Sequence, residues 1–292
     1  MHELRPSEFH RIASLFGSLP YGPTIPNAVI AGMGPGRVFV DDATQPTAAL
    51  VYNGGACTLA GNSRSTGFGE AVCKWLLEYH GADYFILYAD PGAWQVLLDL
   101  SLVKGVTKRR RLDFDFVPSK FALPNGWEDT IPSGYALRRI DRTLMEQVRG
   151  ELLPYSRSYW RSAADFERDG VGFCLIHQEA IVSVCYTCFA WNGHHDIDVM
   201  TVESQRRRGL GRVVACAFID HCLANGLTPN WDCWSKNQPS VALAARLGFV
   251  PRVEVTTYHG FAPEQRPSPD TRRWTLACRQ FQRAQSNRSP PT

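Results

Sequence analysis

Long apolar runs are missing from this sequence of 292 residues. No segment approaches the roughly 20 consecutive apolar residues that a membrane-spanning helix requires, and no basic start followed by an apolar run marks a secretory signal. We therefore expect a cytoplasmic protein without a membrane partner. Charge of one sign is scarce too, because the net charge is only +3. This balance gives no reason to expect a nucleic-acid partner.

Cysteines in the pattern of a disulfide framework are also absent. The chain has nine, an odd number without a secretory signal, so we expect reduced thiols that serve mainly as small core side chains. Cys185 and Cys188 form a CxxC pair, but they lie inside the apolar run Ile181–Ala190, which predicts a strand. No second CxxC accompanies them, so the sequence predicts no metal site.

Basic residues are concentrated in one cluster. Lys104, Lys108 and Arg109–Arg111 come just before Leu112–Phe116, in which apolar and acidic side chains alternate. Alternation with a period of two predicts a β-strand, and we expect its charged face to lie in solvent.

Turn-rich segments divide the chain into three parts. The connector Pro118–Gly134 separates an N-terminal module, residues 1–130, from a second domain, residues 131–262. The remaining tail, residues 263–292, is rich in proline, serine and arginine. The proline- and glycine-rich stretch Pro20–Gly36 is also predicted to be irregular.

Hydrophobic periodicity predicts helices and strands in both halves. Apolar residues at helical spacing predict helices at Ser7–Leu19, Phe68–Tyr79, Ala93–Leu100, Asp141–Glu151, Ser156–Phe166, Val213–Asn225, Asn237–Leu247 and, in the tail, Thr271–Arg283. Shorter β-rich runs predict strands at Arg37–Val40, Thr47–Tyr52, Ala56–Ala60, Tyr84–Tyr88, Arg110–Phe116, Tyr135–Arg138, Val171–His177, Ala180–Phe189, Ile197–Thr201, Thr228–Trp234 and Val253–Tyr258.

A basic glycine loop follows the predicted strand Ile197–Thr201. The loop, Arg206–Gly211, reads Arg-Arg-Arg-Gly-Leu-Gly and leads into a helical run that stops at Gly226. In this order, backbone N–H groups converge at a helix N-terminus, where the helix dipole adds partial positive charge. The glycines let the backbone approach an anion closely, and the arginines counter its charge. The pattern predicts a pyrophosphate-binding loop.

A second signature follows the next predicted strand. Asn237 and Ser240 are spaced as Asn-x-x-Ser in a helix that ends in Leu-Gly-Phe at Phe249, before a β-run. Together with the glycine loop, this order resembles the acetyl-CoA signature of the GNAT superfamily of N-acetyltransferases. A narrower resemblance is to a bacterial two-part GNAT group that includes zwittermicin-resistance-like acetyltransferases. The segments that carry it are Val38–Asp42, Leu59–Gly61, Ser133–Tyr135, Ile197-Asp198, Trp231–Cys233 and Asn237–Phe249.

The resemblance implies an α/β chain of the α+β kind with the GNAT fold, in which helices flank a mixed, mostly antiparallel central sheet. It also implies that the N-terminal module is a degenerate GNAT-like module without a coenzyme A loop. Acetyl-CoA is then expected to bind the second domain, through Met200, Thr201, Val202, Arg206, Arg207, Arg208, Gly209, Leu210, Gly211, Arg212, Asn237 and Ser240. For Asn237, the sequence fits a helix N-cap equally well.

The resemblance further implies that the protein transfers the acetyl group to the primary amine of a small molecule by direct attack. A base must take a proton from the amine, and Asp198 is the predicted base, with Asp196 and His195 as alternatives. A structural role for Asp198 is an equal alternative.

The general acid that protonates the leaving thiolate is less clearly marked. Many GNAT enzymes carry a tyrosine at the position of Ala244, so the acid is expected to be absent here, replaced by water, or supplied by Tyr258, Ser240 or Cys233. Cys233 also raises the hypothesis of an acetylated cysteine, although the sequence identifies no histidine partner for it.

The acceptor site is predicted to be lined by Asp198, Trp231, Asp232 and Cys233, although core packing would explain the tryptophan as well. Two other functions stay open. The missing tyrosine suggests a non-catalytic coenzyme A sensor, and the additional N-terminal module is compatible with peptide or protein acetylation. The protein is expected to be a monomer or a homodimer.

Overall fold

The computed structural model describes residues 1–17, 19–78, 84–90, 92, 94–102, 105–121, 126–153 and 159–261. The predicted tail, with its helix at Thr271–Arg283, lies outside this part of the chain. No helix within the described residues is long and apolar enough to cross a membrane.

Eight α-helices and twelve strands form in the described part of the chain. The helices are α1 (Ala13–Phe16), α2 (Thr24–Ile30), α3 (Thr66–Glu78), α4 (Gln95–Ser101), α5 (Arg142–Gln147), α6 (Ala163–Asp169), α7 (Leu210–Ala224) and α8 (Gln238–Arg246). The strands are β1 (His2–Leu4), β2 (Arg37–Val40), β3 (Ala48–Asn53), β4 (Ala56–Gly61), β5 (Tyr84–Ala89), β6 (Val106–Phe116), β7 (Tyr135–Arg139), β8 (Gly172–His177), β9 (Ala180–Trp191), β10 (His194–Thr201), β11 (Thr228–Trp234) and β12 (Phe249–Phe261). Shorter helical turns lie at Pro6–Ile12, Pro118–Lys120, Trp127–Thr130, Val148–Leu152 and Glu203–Gln205.

Local sequence explains several of these bounds. Asp141 caps α5 because its carboxylate accepts the backbone N–H of Leu144 at 2.8 Å. Gly226, with a φ of 66°, follows the end of α7 at the predicted place. Gln178 and Glu179 both have positive φ, as a two-residue turn between antiparallel strands requires, which confirms the predicted hairpin of β8 and β9.

The stretch Pro20–Gly36 is more regular than its composition predicts, because it contains helix α2. Proline is tolerated there since Pro26 lies in the first turn, where the backbone N–H has no partner within the helix. Most of α2 is buried, and the Nδ2 atom of Asn230 donates to the hydroxyl of Thr24 at 3.1 Å. Tertiary packing therefore stabilises a helix that local composition did not indicate.

All twelve strands belong to one sheet, in the order β1-β2-β3-β4-β5-β12-β6-β11-β10-β9-β8-β7. Two neighbouring pairs are parallel, β4 with β5 and β10 with β11, and the other pairs are antiparallel. A helix joins the strands of each parallel pair, α3 in the N-terminal half and α7 in the C-terminal half. The mixed, mostly antiparallel sheet with flanking helices agrees with the prediction.

The two halves interlock at the centre of this sheet. β6, from the N-terminal half, lies between β11 and β12, whereas β12, from the C-terminal half, lies between β5 and β6. Pairing of β6 with β12 runs from Phe116 opposite Phe249 to Val106 opposite Gly260. The division at residues 130 and 131 stays a prediction, and backbone hydrogen bonds join the two sides of it.

The central place of β6 changes the environment of its charged side chains. The sequence predicts that its charged face lies in solvent, and for Arg111 and Asp113 this is wrong, since both side chains are only 13 % exposed. Lys108 and Arg110 are about half exposed. Alternation indicates a strand correctly, but it does not report which neighbours cover the strand.

Apolar cores lie on both faces of the sheet. One packs α7 and α8 against strands of the C-terminal half, and another packs α3 and α4 against strands of the N-terminal half. A central cluster joins α2 to strands of both halves; its buried members are Tyr21, Ile25, Ala28, Tyr88, Cys188, Phe189 and Val255. The eight described cysteines are buried and free, as expected of small core side chains.

Candidate active site

Strands β10 and β11 begin side by side and then separate. They pair only over His194–Asp196 and Thr228–Asn230, although both strands continue beyond these residues. A shift in the pairing of β10 with β9, between Asp196 and Ile197, accompanies the separation. We call the opening between residues 197–201 and 231–234 the V. From Asp196 to Thr201, the β10 side of the V is about 16 Å long.

The glycine loop Arg206–Gly211 lies at the wide end of the V. Gly209 directly precedes α7 and has a φ of 79°, a backbone conformation that glycine adopts without strain. A Cβ atom built on Gly209 would meet no atom within 4 Å. The space in front of α7 is therefore open to a ligand, and the unpaired N–H groups of a first helical turn can bind an anion there.

The four arginines predicted to bind pyrophosphate are all exposed at this loop. Arg206 donates from Nε to the backbone oxygen of Thr201 at 3.1 Å, and Arg208 donates to a tyrosine hydroxyl at 3.3 Å. Arg207 has a φ of 63°, which is uncommon for a residue with a side chain. An open helix N-terminus surrounded by guanidinium groups fits a diphosphate.

The other residues predicted to bind acetyl-CoA border the V. Met200 and Thr201 end β10, and Val202 follows them. Asn237 stands at the N-cap position of α8, but its side chain makes no capping hydrogen bond. Its exposed amide is therefore available to a ligand, and the alternative role as a capping side chain finds no support.

A cavity of about 200 Å³ lies at the narrow end of the V, where β10 and β11 separate. Its polar walls come from both halves of the chain. The C-terminal half contributes Asp196, Asn230, Asp232 and Arg252, and the N-terminal half contributes Tyr21, Tyr88, Arg111 and Asp113.

Asp196 lies in this cavity at the point where the strands separate. The Nδ2 atom of Asn230 donates to its Oδ1 atom at 2.8 Å. Burial raises the pKa of Asp196 to about 7; the carboxylates of Asp232 and Asp113 add to this, while hydrogen bonds from Asn230 and Thr24 oppose it. A carboxyl group with this pKa can exchange a proton at neutral pH.

Asp198, the predicted base, lies two positions further along β10 and so on the same strand face. It accepts a hydrogen bond from the hydroxyl of Tyr186 at 3.0 Å, and Tyr186 is fully buried. Asp198 is not among the described residues that line the cavity. Asp196, the alternative base, is better placed.

His195, the other alternative base, is buried on the opposite face of β10. Its Nδ1 atom lies 3.0 Å from the hydroxyl oxygen of Thr187. Burial lowers the pKa of His195 to about 4, so that it is neutral at physiological pH. Its position supports a structural role.

The predicted acceptor residues on β11 alternate between the two faces of the sheet. Asp232 faces the cavity, where Arg111 donates to its two carboxylate oxygens at 2.5 and 2.7 Å and the hydroxyl of Tyr88 donates at 2.9 Å. Trp231 also lines the cavity, but it is 4 % exposed and packs into the core beside α8. Cys233 is buried in the same core.

Ser240 lies next to these core residues, in the first turn of α8. Its hydroxyl oxygen accepts the indole N–H of Trp231 at 3.2 Å, and the hydroxyl also makes a hydrogen bond with the thiol of Cys233. Burial raises the pKa of Cys233, so its thiol stays protonated at neutral pH. Ala244 lies one turn after Ser240, where many GNAT enzymes carry a tyrosine, and its side chain has no hydroxyl. It is fully buried.

Tyr258, the other predicted acid, lies elsewhere. Its ring is buried among the core residues beside α3 and α4, and its hydroxyl donates to Asp99 at 2.6 Å. Burial raises its pKa further above the usual value for tyrosine. The structure brings Ser240, Trp231 and Cys233 together, but it does not bring Tyr258 to the cavity.

The contribution of the N-terminal half to this cavity was not predicted. Tyr21, Tyr88 and Asp113 come from three separate segments that the sequence gives no reason to combine. The acidic alternation around Asp113 was the one visible signal. Without the order of the strands, it could not be connected to β11.

The Arg-x-x-Gly-x-Gly pattern also occurs in the N-terminal half, at Arg64–Gly69, between β4 and α3. The family resemblance predicts an N-terminal module that lacks this loop, and for the sequence pattern itself the prediction is wrong. Since α3 begins at Thr66, Gly67 is the second residue of its helix, as Gly211 is in α7. Ser65 therefore stands where the C-terminal loop has Gly209.

Two contacts distinguish this second loop from the C-terminal one. The hydroxyl of Ser65 donates to the carboxylate of Asp41 at 2.9 Å, which brings negative charge to the start of α3. A Cβ atom on Gly69 would lie 2.8 Å from the ring of Trp94. Gly69 is thus needed for core packing, and Asp41 disfavours a phosphate.

A strand pair that opens into a V, with a basic glycine loop at one end and an acidic cavity at the other, fits an acyl-transferring enzyme. The chain belongs to the GNAT acetyltransferase family, which matches residues 13–258. It is similar to YdfB of Bacillus subtilis (strain 168), described as an uncharacterized N-acetyltransferase, with 29 % identity over 261 residues. That match covers 89 % of this chain and 98 % of YdfB.

Solved structures agree on the fold. The crystal structure of a GCN5-related N-acetyltransferase-like protein from Streptococcus suis 89/1591 has a TM-score of 0.71 and 25 % identity, and the match covers 87 % of this chain and 98 % of that one. A tandem GNAT protein from the clavulanic acid biosynthesis pathway matches in fold, with a TM-score of 0.57, 12 % identity and coverage of 91 % and 98 %. The predicted GNAT fold is confirmed, and enzymes of this family use acetyl-CoA as acetyl donor.

Proposed function

We propose that the protein transfers the acetyl group of acetyl-CoA to the primary amine of a small molecule by direct attack. The observation that carries the proposal is the position of Asp196. It lies in a cavity at the narrow end of the V. From Asp196, β10 runs about 16 Å to Thr201, and the glycine loop follows at the wide end. A proton acceptor and an anion-binding loop thus stand at the two ends of one opening.

The loop residues and Arg212 would hold the diphosphate of acetyl-CoA, and the residues of β10 that border the V would hold its pantetheine arm. Acetyl-CoA supplies the activated thioester. Asp196 takes a proton from the ammonium group of the acceptor, and the neutral nitrogen then bonds to the carbonyl carbon. The carbon–sulfur bond then breaks and releases a thiolate. The nitrogen loses the second proton that the amide does not keep, and the thiolate gains one, so that the products are the amide and coenzyme A. Among the predicted acids, the hydroxyl of Ser240 is best placed to donate toward the thiolate.

Direct attack is favoured over an acetylated cysteine by the state of Cys233. The thiol is buried, and its raised pKa disfavours the thiolate that a nucleophile requires. Asp196 is favoured over Asp198 because it lines the cavity and because its pKa lies near neutrality.

The proposal is tested by a screen of amines with acetyl-CoA, in which mass spectrometry detects the acetylated products. Amine-bearing natural-product antibiotics belong in the panel, as the narrower family resemblance implies. Product from at least one small amine is expected. Binding of acetyl-CoA without any product would favour the coenzyme A sensor, and acetylation of peptides alone would favour the peptide or protein acetyltransferase.

A further inference from the structure

We infer that the cavity selects a compact primary amine whose body is apolar and whose only charge is its ammonium group, and that the N-terminal half contributes to this selection. The inference rests on the proposed function and narrows its acceptor. It follows from the size of the cavity, from the partners of its charged groups and from the nature of its walls.

The size of the cavity limits the acceptor. Its volume is about 200 Å³. Pockets for drug-sized ligands run from roughly 300 to 1,000 Å³. A compact amine fits this space, whereas a large sugar does not.

The charged groups of the cavity are mostly paired with one another. Arg111 holds Asp232 through two hydrogen bonds. Arg252 holds Asp113, lies 3.2 Å from Asp115, and also donates to the backbone oxygen of Pro20. These pairs leave neither guanidinium free for a carboxylate on the acceptor, and each of the three carboxylates already contacts a guanidinium.

Asp196 differs from the other carboxylates of the cavity. Among the described residues, no arginine, lysine or histidine lies within ion-pair distance of it, and its donors are the neutral groups of Asn230 and Thr24. Asp196 can therefore pair with one cation, and a monoamine carries one.

The remaining walls are largely apolar and aromatic. The rings of Tyr21 and Tyr88 lie 6.0 Å apart and nearly parallel, and the hydroxyl of Tyr21 donates to the backbone oxygen of Ala89. Ile25 and Val255 belong to the same central cluster. Such walls favour an apolar body, and aromatic rings also attract an ammonium group. Three of these four side chains come from the N-terminal half.

Two matched pairs of amines test the selection with the wild-type protein. Putrescine is n-butylamine with a second ammonium, and phenylalanine is 2-phenylethylamine with a carboxylate. In each pair we expect the simple amine to have a kcat/KM at least about tenfold higher, since the added charge finds no unpaired partner. Equal or better turnover of putrescine or phenylalanine would overturn the inference.

The variant Arg252→Gln tests the pairing argument. Loss of the guanidinium leaves Asp113 and Asp115 without their cation, so the ratio of kcat/KM for putrescine to that for n-butylamine should rise at least about fivefold. Arg252→Lys, which restores a cation, should keep the wild-type ratio. Arg110→Gln is the matched control, because Arg110 pairs with Glu254 and does not line the cavity. An unchanged ratio in folded Arg252→Gln would contradict the inference.

Calorimetric titration with 2-phenylethylamine separates failure of the inference from failure of the proposed function. Binding of this amine, with weaker binding of phenylalanine and no turnover of any amine, would support the selection and overturn the proposed function. Turnover with the reverse preference would support acetyl transfer and overturn the selection.

Discussion

Both halves of the chain contain a β-α-β unit with the pattern Arg-x-x-Gly-x-Gly, but the two loops differ in register. In the C-terminal half, Gly209 stands immediately before α7, and the space in front of it is open. In the N-terminal half, Ser65 stands at the equivalent position, and its hydroxyl is bound to Asp41. We therefore expect the place of the glycines relative to the first helical turn, more than their order in the sequence, to decide whether an anion can bind.

The parallel strand pairs that flank these two helices differ in how far they stay paired. β10 and β11 separate after Asp196 and Asn230, and both continue for several residues beyond that point. β4 and β5 stay paired up to Leu59 opposite Ala89, which is the last residue of β5. The described part of the N-terminal half therefore has no V comparable to that of the C-terminal half. Its part in the protein is to supply β6 and walls of the cavity.

Removal of one carboxylate from each half should separate catalysis from stability. Asp196→Asn should lower kcat by about 100-fold or more, because the amine loses its proton acceptor. Asp41→Asn should leave kcat within about twofold and lower the free energy of unfolding by about 2 kcal/mol, since Asp41 accepts hydrogen bonds from Thr47, Ala48 and Ser65. Steady-state rates and denaturant unfolding measure the two effects. A similar loss of kcat in both variants would contradict the assignment of catalysis to the C-terminal half.

The pH dependence of kcat should report the ionisation of Asp196, in the C-terminal half. Asp196 must be ionised to accept a proton, and burial raises its pKa to about 7, with Asp232 and Asp113 facing it from β11 and β6. At saturating amine, kcat should rise about tenfold per pH unit below pH 7 and level off above it. Asp198→Asn should keep this profile, because Asp198 does not line the cavity. A profile without a step near pH 7 would argue against Asp196 as the base.

Alanine at the two glycines of the N-terminal loop should have opposite effects on stability. Gly67 lies in α3, and a Cβ atom at this position would meet no other atom within 4 Å. Gly67→Ala should therefore stabilise the protein by up to about 1 kcal/mol through helix propensity. Gly69→Ala should destabilise it by about 1 kcal/mol, because its Cβ would lie 2.8 Å from Trp94. Thermal unfolding measures both, and destabilisation by Gly67→Ala would show that this loop has a contact or ligand not accounted for.

The fold was largely predictable because it rests on local periodicity and on one specific pattern. The order of β10, the glycine loop and α7 was visible in the sequence, and it led to the correct family. Helix α2 was missed since its stability comes from burial between the halves of the sheet. The exchange of β6 and β12 could not be predicted either, because strand order depends on contacts between residues far apart in the chain.

The candidate site was predictable at its wide end and less so at its narrow end. The loop is proposed to bind through backbone geometry and arginines, both of which have a local signature. The cavity depends on Tyr21, Tyr88, Asp113 and Asp196, which come together only after the halves interlock. Asp198 and Asp196 look equivalent in the sequence, and their hydrogen-bond partners and surroundings distinguish them in the structure.

Calorimetric titration with acetyl-CoA tests the central claim, which is that the C-terminal half alone carries the donor site. We expect one acetyl-CoA per chain. Gly211→Glu should weaken binding about 100-fold or more, because it puts a carboxylate at the second position of α7, beside the loop. Gly67→Glu, at the same position of α3, should leave the Kd within about twofold. Two acetyl-CoA per chain, no binding at all, or loss of binding in Gly67→Glu would contradict the account.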